Sequence, residues 1–201
     1  MELLWVRHGL PERIAGGNGV PADPGLTEVG RDQAERLAAW LADEPIDAVL
    51  SSPLRRARET AAPIAAAHGL EVVVVEGLAE YDRNSDSYIP MEELRATKDP
   101  RLDAMMAGDW DDMGEPADVF RTRIAGVLDE IIAAYPGQRV VAVCHGGVVN
   151  VASALVLDID RHLWFEPHYT SVTRMIASRS GVRSLSSLNE RAHLDGRRDP
   201  A

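Results

Sequence analysis

Two histidines stand at the ends of short apolar segments, and each is followed by glycine. His8 follows Leu3-Leu4-Trp5-Val6 and Arg7, and His145 follows the segment 139–144. Glycine lets the backbone turn sharply, so both imidazoles can be presented at the end of a strand. Because histidine often acts as an acid, a base or a nucleophile near neutral pH, this repeated arrangement predicts a catalytic pair.

Three arginines, Arg55, Arg56 and Arg58, lie in the first turns of a predicted helix. The amino end of a helix is already positive, so each cation there is unfavourable by roughly 0.3–1 kcal/mol unless an anion compensates. Guanidinium groups and free backbone N–H groups together form a site for phosphate or carboxylate. The alternative is pairing with acids such as Glu59. Three arginines cannot all face one ligand, so we expect at least one on the surface.

Two other kinds of site are disfavoured by the same residues. Cys144 and His145 are neighbours at a predicted strand end, and neighbouring strand residues point to opposite faces. This argues against a Cys–His nucleophile pair and makes Cys144 a small core residue. Zinc sites take three or four ligands, and arginines at the same strand ends would repel the cation. We therefore expect no metal and no cofactor.

The elements that must position these side chains alternate between apolar strands and amphipathic helices. Thr27 is predicted to cap the first helix, and Ser52, with Pro53 at the first helical position, the second. A hairpin around Ser180-Gly181 is predicted to close the chain. The predicted strands are 3–6, 47–50, 72–75, 139–144, 171–177 and 182–188, and the predicted helices are 28–42, 53–68, 117–134 and 146–155.

This alternation predicts an α/β protein, a three-layer α/β/α sandwich with a mostly parallel central sheet. In such sheets ligands bind beyond the carboxyl ends of the strands, where His8 and His145 fall. Residues 80–118 break the pattern with 12 acidic and 4 basic residues. We expect one domain over 1–201 with an inserted, mainly helical cap segment at 80–118, and a polar, frayed tail from Asp195.

Composition excludes several classes of function. The chain has 201 residues, a formal net charge of −11 and one cysteine. Such a negative body repels nucleic acid and acidic membranes, and one cysteine excludes a disulfide framework. No apolar run reaches membrane-spanning length, and the first residues lack the features of a signal peptide. We therefore expect a cytoplasmic protein, with a homodimer left open.

Several blocks, taken in order, resemble the histidine phosphatase superfamily, which includes the cofactor-dependent phosphoglycerate mutases. A lone Arg-His-Gly is weak evidence, whereas ordered blocks along most of the chain are specific. The blocks are Val6-Arg7-His8-Gly9, the loop and helix start at 23–30, Ser51 to Ala61, Cys144-His145-Gly146-Gly147-Val148, and Leu188-Asn189 with His193-Leu194.

The resemblance implies a role for each matching residue. His8 would be the nucleophile that becomes a phosphohistidine, and His145 the second histidine of the pocket. Arg7, Arg56 and Gly146 would bind the phosphoryl group, without a metal. Such a site suits phosphoryl transfer, in which catalysis is mainly positioning and cationic stabilisation.

The resemblance also implies a proton donor shortly after the third strand. Leu78-Ala79-Glu80 matches the family's pattern, so Glu80 is the candidate and Asp82 the second choice. A departing alkoxide needs a proton, which calls for a carboxyl group with a raised pKa.

Departures from the family's pattern separate the enzyme types. Leu10-Pro11 stands where many members have Glu-Thr, and residues 81–88 replace a Gly-x-Trp-Glu-Gly block. These departures favour a phosphomonoester hydrolase, acting through a phosphohistidine on a small phosphorylated metabolite, over a mutase. A mutase-type phosphoryl transferase and a non-catalytic phosphate-ligand binding protein remain the alternatives, and the substrate is left open.

Overall fold

A central six-stranded sheet is built from the apolar segments of the sequence. The computed structural model describes residues 1–17, 19–107 and 114–194. Within these ranges, four strands run parallel, and the last two form an antiparallel hairpin beside the first strand. The strands are β1 (Glu2–Arg7), β2 (Ala48–Ser51), β3 (Val72–Val74), β4 (Arg139–Cys144), β5 (Val172–Ala177) and β6 (Arg183–Glu190), in the spatial order β3-β2-β4-β1-β5-β6.

Helices cover both faces of this sheet. The six α-helices of the described ranges are α1 (Glu28–Leu41), α2 (Arg55–His68), α3 (Met91–Ala96), α4 (Pro100–Ala107), α5 (Ala117–Ala134) and α6 (Gly146–Leu157). Helices α1 and α2 pack on Leu4 and Val6, whereas α5 and α6 pack on Leu3 and Trp5. Alternate residues of β1 thus face two separate cores, which explains why its sequence is continuously apolar. The predicted α/β fold with a mostly parallel sheet is confirmed.

The two predicted helix caps have different outcomes. Thr27 caps α1 as predicted, and its Oγ1 accepts the Gly30 N–H at 2.9 Å. The predicted Ser52 cap and Pro53 helix start are wrong, because α2 begins at Arg55. Asp23, from the loop before α1, instead accepts the Arg55 N–H at 2.7 Å. A residue distant in the chain therefore supplies the cap that sequence proximity suggested for Ser52.

The segment 80–118 lies beside the carboxyl ends of the parallel strands. Its described part contains α3, α4 and turns, and Tyr88 forms a β-bridge with Ile14. Residues 108–113 of this segment, Asn18 and the tail from Asp195 lie outside the described residues. In the described ranges, no helix combines the length and apolarity needed to cross a membrane.

Candidate active site

The register of β1 against β4 brings the two predicted histidines together. Arg7 is paired with Cys144, so His8 and His145 leave the sheet side by side. Their ring centroids are 5.1 Å apart, and the His8 N–H donates to the Cys144 carbonyl at 3.0 Å. The parallel pairing of two strands far apart in the chain is therefore what places the histidines next to each other.

His8 has the orientation and charge state of a nucleophile. Its Nδ1 lies 2.8 Å from the Gly9 carbonyl oxygen, which can only accept, so Nδ1 carries the proton. The lone pair then lies on Nε2, which accepts a hydrogen bond from Nε of Arg56 at 3.3 Å. Burial, followed by the charges of Arg56 and Arg7, holds the pKa of His8 well below its ordinary value. The ring is therefore neutral at neutral pH and can attack phosphorus.

Arg7 lies in the same cleft as His8. Its guanidinium carbon lies 3.8 Å from the centre of the Tyr169 ring, and its Nη1 donates to the Pro167 carbonyl at 2.6 Å. Its buried Nε has no hydrogen-bond partner among the described residues. A buried donor of this kind is suited to an oxyanion ligand.

Of the three arginines near the start of α2, only Arg56 lines the cleft within the described ranges. It is 1% exposed, and its guanidinium carbon lies 4.5 Å from the centre of the Tyr88 ring. Arg55 and Arg58 are exposed, and Arg55 pairs with Glu59 at 2.6 Å. Burial thus separates one cleft arginine from its two surface neighbours.

His145 lies behind His8 and is fully buried. Its Nε2 lies 2.7 Å from Ser52 Oγ, which also accepts the Leu54 N–H at 3.3 Å. Burial and the nearby cations hold the pKa of His145 well below its ordinary value, so the ring is neutral. If the Ser52 hydroxyl donates to Nε2, the proton of the ring lies on Nδ1. Nδ1 has no hydrogen-bond partner among the described residues. In the part of the chain that the structure describes, His145 does not line the cleft but packs directly behind His8.

Glu80 is placed at the N-terminus of α6. Its two carboxyl oxygens accept the N–H groups of Gly147 at 2.8 Å and Tyr81 at 3.3 Å. A β-carbon on residue 147 would lie 2.4 Å from Oε1, so glycine permits this approach. Burial, reinforced by Asp82, raises the pKa of Glu80 to about 7. Glu80 can therefore both give and take a proton near neutral pH.

Asp82 is the less suitable acid. Its Oδ1 lies 3.7 Å from Arg56 Nη2, and its side chain is 23% exposed. Burial raises the pKa of Asp82, whereas the charge of Arg56 opposes this rise. An acid that faces a guanidinium group is stabilised as the carboxylate, which favours Glu80 as the donor.

These groups open into a cleft of about 560 Å³. Arg7, His8, Arg56, Glu80 and Gly146 all line it. The structure also places in the cleft residues that sequence reasoning missed. The missed lining residues include Tyr88, Asn150, Leu163, Trp164 and Phe165. Of these residues, the sequence offers a signal for Trp164 and Phe165 alone. They are two adjacent aromatic residues that lie outside every predicted helix and strand.

The chemistry that these groups support is phosphoryl transfer. A neutral imidazole faces two guanidinium groups, which can hold the charged oxygens of a phosphoryl group. A carboxyl group of suitable pKa lines the same cleft. Within the described ranges, no group of three or more His, Cys, Asp or Glu side chains could hold a metal ion.

Comparison with known proteins agrees with this geometry. The model of the histidine phosphatase superfamily (branch 1) matches residues 3–190. Phosphoserine phosphatase 1 of Hydrogenobacter thermophilus is 31% identical over 170 residues, covering 80% of this chain and 78% of that protein. A mutant phosphoserine phosphatase of Entamoeba histolytica, solved with phosphoserine, is 25% identical with a TM-score of 0.77, covering 96% of this chain and 98% of that one.

A longer relative is also similar. A bifunctional protein of Mycobacterium tuberculosis is 33% identical over 202 residues, which cover 96% of this chain. This chain spans only about half, 54%, of that protein's length.

Proposed function

Because this chain belongs to the histidine phosphatase superfamily (branch 1), we propose that it is a phosphomonoester hydrolase that forms a phosphohistidine at His8. The observation that carries the proposal is the neutral His8, whose Nε2 lone pair lies beside the buried guanidinium of Arg56. The relatives named as phosphoserine phosphatases support a small phosphorylated metabolite as the substrate.

Binding of the substrate begins with its phosphoryl oxygens. Arg7 and Arg56 bind them through guanidinium N–H groups, and the buried Nε of Arg7 donates to them. His145 lies behind His8, and its Nδ1 donates to the phosphoryl group once that group is seated against His8. Gly146 lets the phosphoryl group approach the N-terminus of α6. These contacts stabilise the charge spread over the oxygens during transfer, and no metal takes part in the proposed steps.

The first chemical step transfers the phosphoryl group to His8. The lone pair of Nε2 attacks phosphorus in line with the leaving oxygen, so the N–P bond forms as the P–O bond breaks. Glu80 donates its proton to that oxygen, and the alcohol leaves. In the second step the Glu80 carboxylate takes a proton from water. The resulting hydroxide attacks phosphorus, which breaks the N–P bond and releases inorganic phosphate.

The substitution His8→Ala tests the nucleophile. We expect it to lower kcat/KM for p-nitrophenyl phosphate at least about 1,000-fold, because it removes the covalent route. His68→Ala is the matched control, since His68 lies on α2 and does not line the cleft. Activity of His8→Ala within severalfold of the unaltered protein would reject the proposal.

The substitution Glu80→Ala tests the proton donor. Aryl alcohols leave readily without a proton, whereas alkyl alcohols require one. We expect the loss on alkyl phosphates to exceed that on p-nitrophenyl phosphate by about 100-fold or more. Equal losses on both would remove Glu80 from the role. The same leaving-group dependence in Asp82→Asn would transfer it to Asp82.

Two rival functions share part of this site. A mutase would return the phosphoryl group to a second hydroxyl, and a non-catalytic binder would not turn over at all. Incubation with a phosphoglycerate and a bisphosphorylated primer distinguishes a mutase, which forms the isomeric phosphoglycerate, from a phosphatase, which releases inorganic phosphate. Release of many phosphate molecules per protein molecule would exclude a non-catalytic binding protein.

Three further points belong to the proposal. The protein acts in the cytoplasm, residues 80–118 form a cap inserted in one domain, and a homodimer forms. The exposed Val73 and Val74 on the edge strand β3 support the homodimer, since a second copy would cover them. Cell fractionation, deletion of the cap and sedimentation equilibrium test the three points separately.

A further inference from the structure

Beyond the phosphoryl site, the cleft continues to an apolar wall. Among the described residues, the wall consists of Met91, Leu94, Leu102, Leu163, Trp164 and Phe165. Leu94 is buried, and the other five are half-buried, with their remaining surface available to a ligand. The two aromatic ring centroids are 4.6 Å apart. A concave apolar surface beside a few polar groups is the usual form of a small-molecule site.

Asn150 fixes this wall to the phosphoryl site. Its Oδ1 accepts the backbone N–H groups of Trp164 at 2.9 Å and Phe165 at 3.1 Å. Its Nδ2 donates to the Gly146 carbonyl at 2.9 Å. The wall and the N-terminus of α6 are therefore held by one buried side chain, so the position of the wall relative to the reacting phosphorus is preorganised.

The cations near the wall are already paired. Arg95 donates to Glu166 at 2.7 Å, and Arg101 binds both carboxyl oxygens of Asp99 at 2.9 and 2.7 Å. A substrate carboxylate reaching this part of the cleft would meet guanidinium charge that Glu166 and Asp99 already offset, and it would lie near the Glu166 carboxylate. The nearby like charge weakens the binding of a carboxylate.

The remaining acids of the cleft, apart from Glu80, also have contacts. Asp82 faces Arg56, and Asp86 accepts the Gly17 N–H at 2.9 Å. A substrate ammonium group seated on the apolar wall would give up its water, which is unfavourable for a charged group without a partner of its own there. Within the described ranges, the charged groups that line the cleft around the wall already have partners of their own.

We propose that the preferred substrate is the phosphate monoester of an uncharged, largely apolar alcohol, with the apolar group seated on the wall formed by Met91, Leu94, Leu102, Leu163, Trp164 and Phe165. An amino acid or hydroxy acid phosphate is a poorer substrate. This inference rests on the proposed phosphatase activity.

The test compares four esters of primary alcohols that differ only in the distal group. They are the phosphates of n-propanol, 3-phenylpropanol, 3-hydroxypropanoate and 3-aminopropanol. We expect kcat/KM for the phenylpropyl ester to exceed that for the propyl ester at least about tenfold, because the wall buries the ring. We expect both charged esters to fall below the propyl ester. A charged ester above the propyl ester, or no gain from the phenyl group, would overturn the inference.

Two variants of the apolar wall test which residues distinguish the phenylpropyl ester from the propyl ester. Phe165→Ala and Leu163→Ala should each lower the ratio of phenylpropyl to propyl kcat/KM. Leu157→Ala is the matched control for Leu163→Ala, since Leu157 is 46% exposed and does not line the cleft. A ratio unchanged in both wall variants would overturn the inference even if the unaltered protein prefers the phenylpropyl ester.

A gain of activity tests the ion pair. Glu166→Gln frees Arg95 and removes a negative charge. The kcat/KM for the phosphate ester of 3-hydroxypropanoate should therefore rise severalfold relative to that for the propyl ester. Asp32→Asn is the control, because it removes the acid from an exposed pair with Arg36 on α1. An unchanged relative rate in Glu166→Gln would contradict the proposed exclusion of carboxylates.

The same measurements distinguish a protein without phosphatase activity from a phosphatase with a different substrate preference. If none of the four esters nor p-nitrophenyl phosphate is hydrolysed, the proposed phosphatase function fails and the substrate inference falls with it. If p-nitrophenyl phosphate is hydrolysed but the four esters show a flat or reversed order, only the substrate inference fails.

Discussion

Burial moves the pKa values of His8 and Glu80 in opposite directions, because it penalises the charged form of each group. The imidazole becomes neutral, which a nucleophile needs. The carboxyl group holds its proton up to about pH 7, which a general acid needs. One physical cause at the residue scale thus prepares both partners of the proposed reaction.

The raised pKa of Glu80 has a consequence for stability. In the folded state the pKa of Glu80 is about 7, whereas the ordinary pKa of a glutamate side chain is 4.5. Between these two pH values the unfolded state loses the proton first, so stability falls by about 3 kcal/mol as pH rises. Glu80→Gln removes this contribution. We expect the variant to gain stability relative to the unaltered protein across this window, as measured by urea unfolding from pH 4 to 8.

The outcome that contradicts this linkage is a stability difference that does not change with pH. Glu35→Gln, on the exposed side of α1, controls for the loss of one negative charge. The titrations of His8 and His145 are common to the proteins compared, so they cancel in the difference.

Among the secondary-structure elements, the segment that follows β1 meets α1 through backbone atoms. A β-carbon on Gly30 would lie 2.1 Å from the Leu10 carbonyl oxygen, and one on Gly9 would lie 2.5 Å from the Gly30 carbonyl oxygen. No side chain fits in this crossing. The crossing keeps the segment after His8 close to α1, and it thereby holds His8 in position at the end of β1.

Gly30→Ala tests the crossing. We expect a loss of about 1–3 kcal/mol in the free energy of unfolding, because the methyl group must displace backbone atoms. Gly126→Ala, in the middle of α5, is the matched control. No described atom lies within 4 Å of its β-carbon position, so alanine should stabilise the helix by about 0.5–1 kcal/mol. Equal effects in urea unfolding would contradict the proposed role of Gly30.

Helix α2 shows how the sequence and the structure diverge at this scale. The apolar spacing correctly predicts the helix and its buried face, which includes Ala57 and Ile64. The start is displaced because Asp23 provides the cap and Ser52 binds His145. Periodicity reports which face is buried, whereas a cap depends on which loop is nearby in space.

At the scale of the whole molecule, the proposed oxyanion site joins β1, α2 and α6. Inorganic phosphate should therefore stabilise the folded chain as a whole. At 100 times its Kd the expected gain is about 2.7 kcal/mol, seen as a rise in Tm with phosphate concentration. Arg56→Gln should reduce this phosphate-dependent rise. Arg58→Gln, an exposed arginine of the same helix, should preserve it. The same dependence in both variants would show that phosphate binds elsewhere.

Hydrophobic periodicity is a local property of the chain, so the order of the main strands and helices followed from the amino-acid sequence alone. The sequence also placed His8 and His145 at strand ends, where an α/β sheet binds ligands. The family resemblance also singled out Arg56, which the helix-dipole argument alone did not distinguish from Arg55 and Arg58. The three-dimensional packing was needed to learn that burial raises the pKa of Glu80 and that residues 163–165 complete an apolar wall. Burial, pKa and cleft shape depend on contacts between residues far apart in the chain, and no local pattern encodes those contacts.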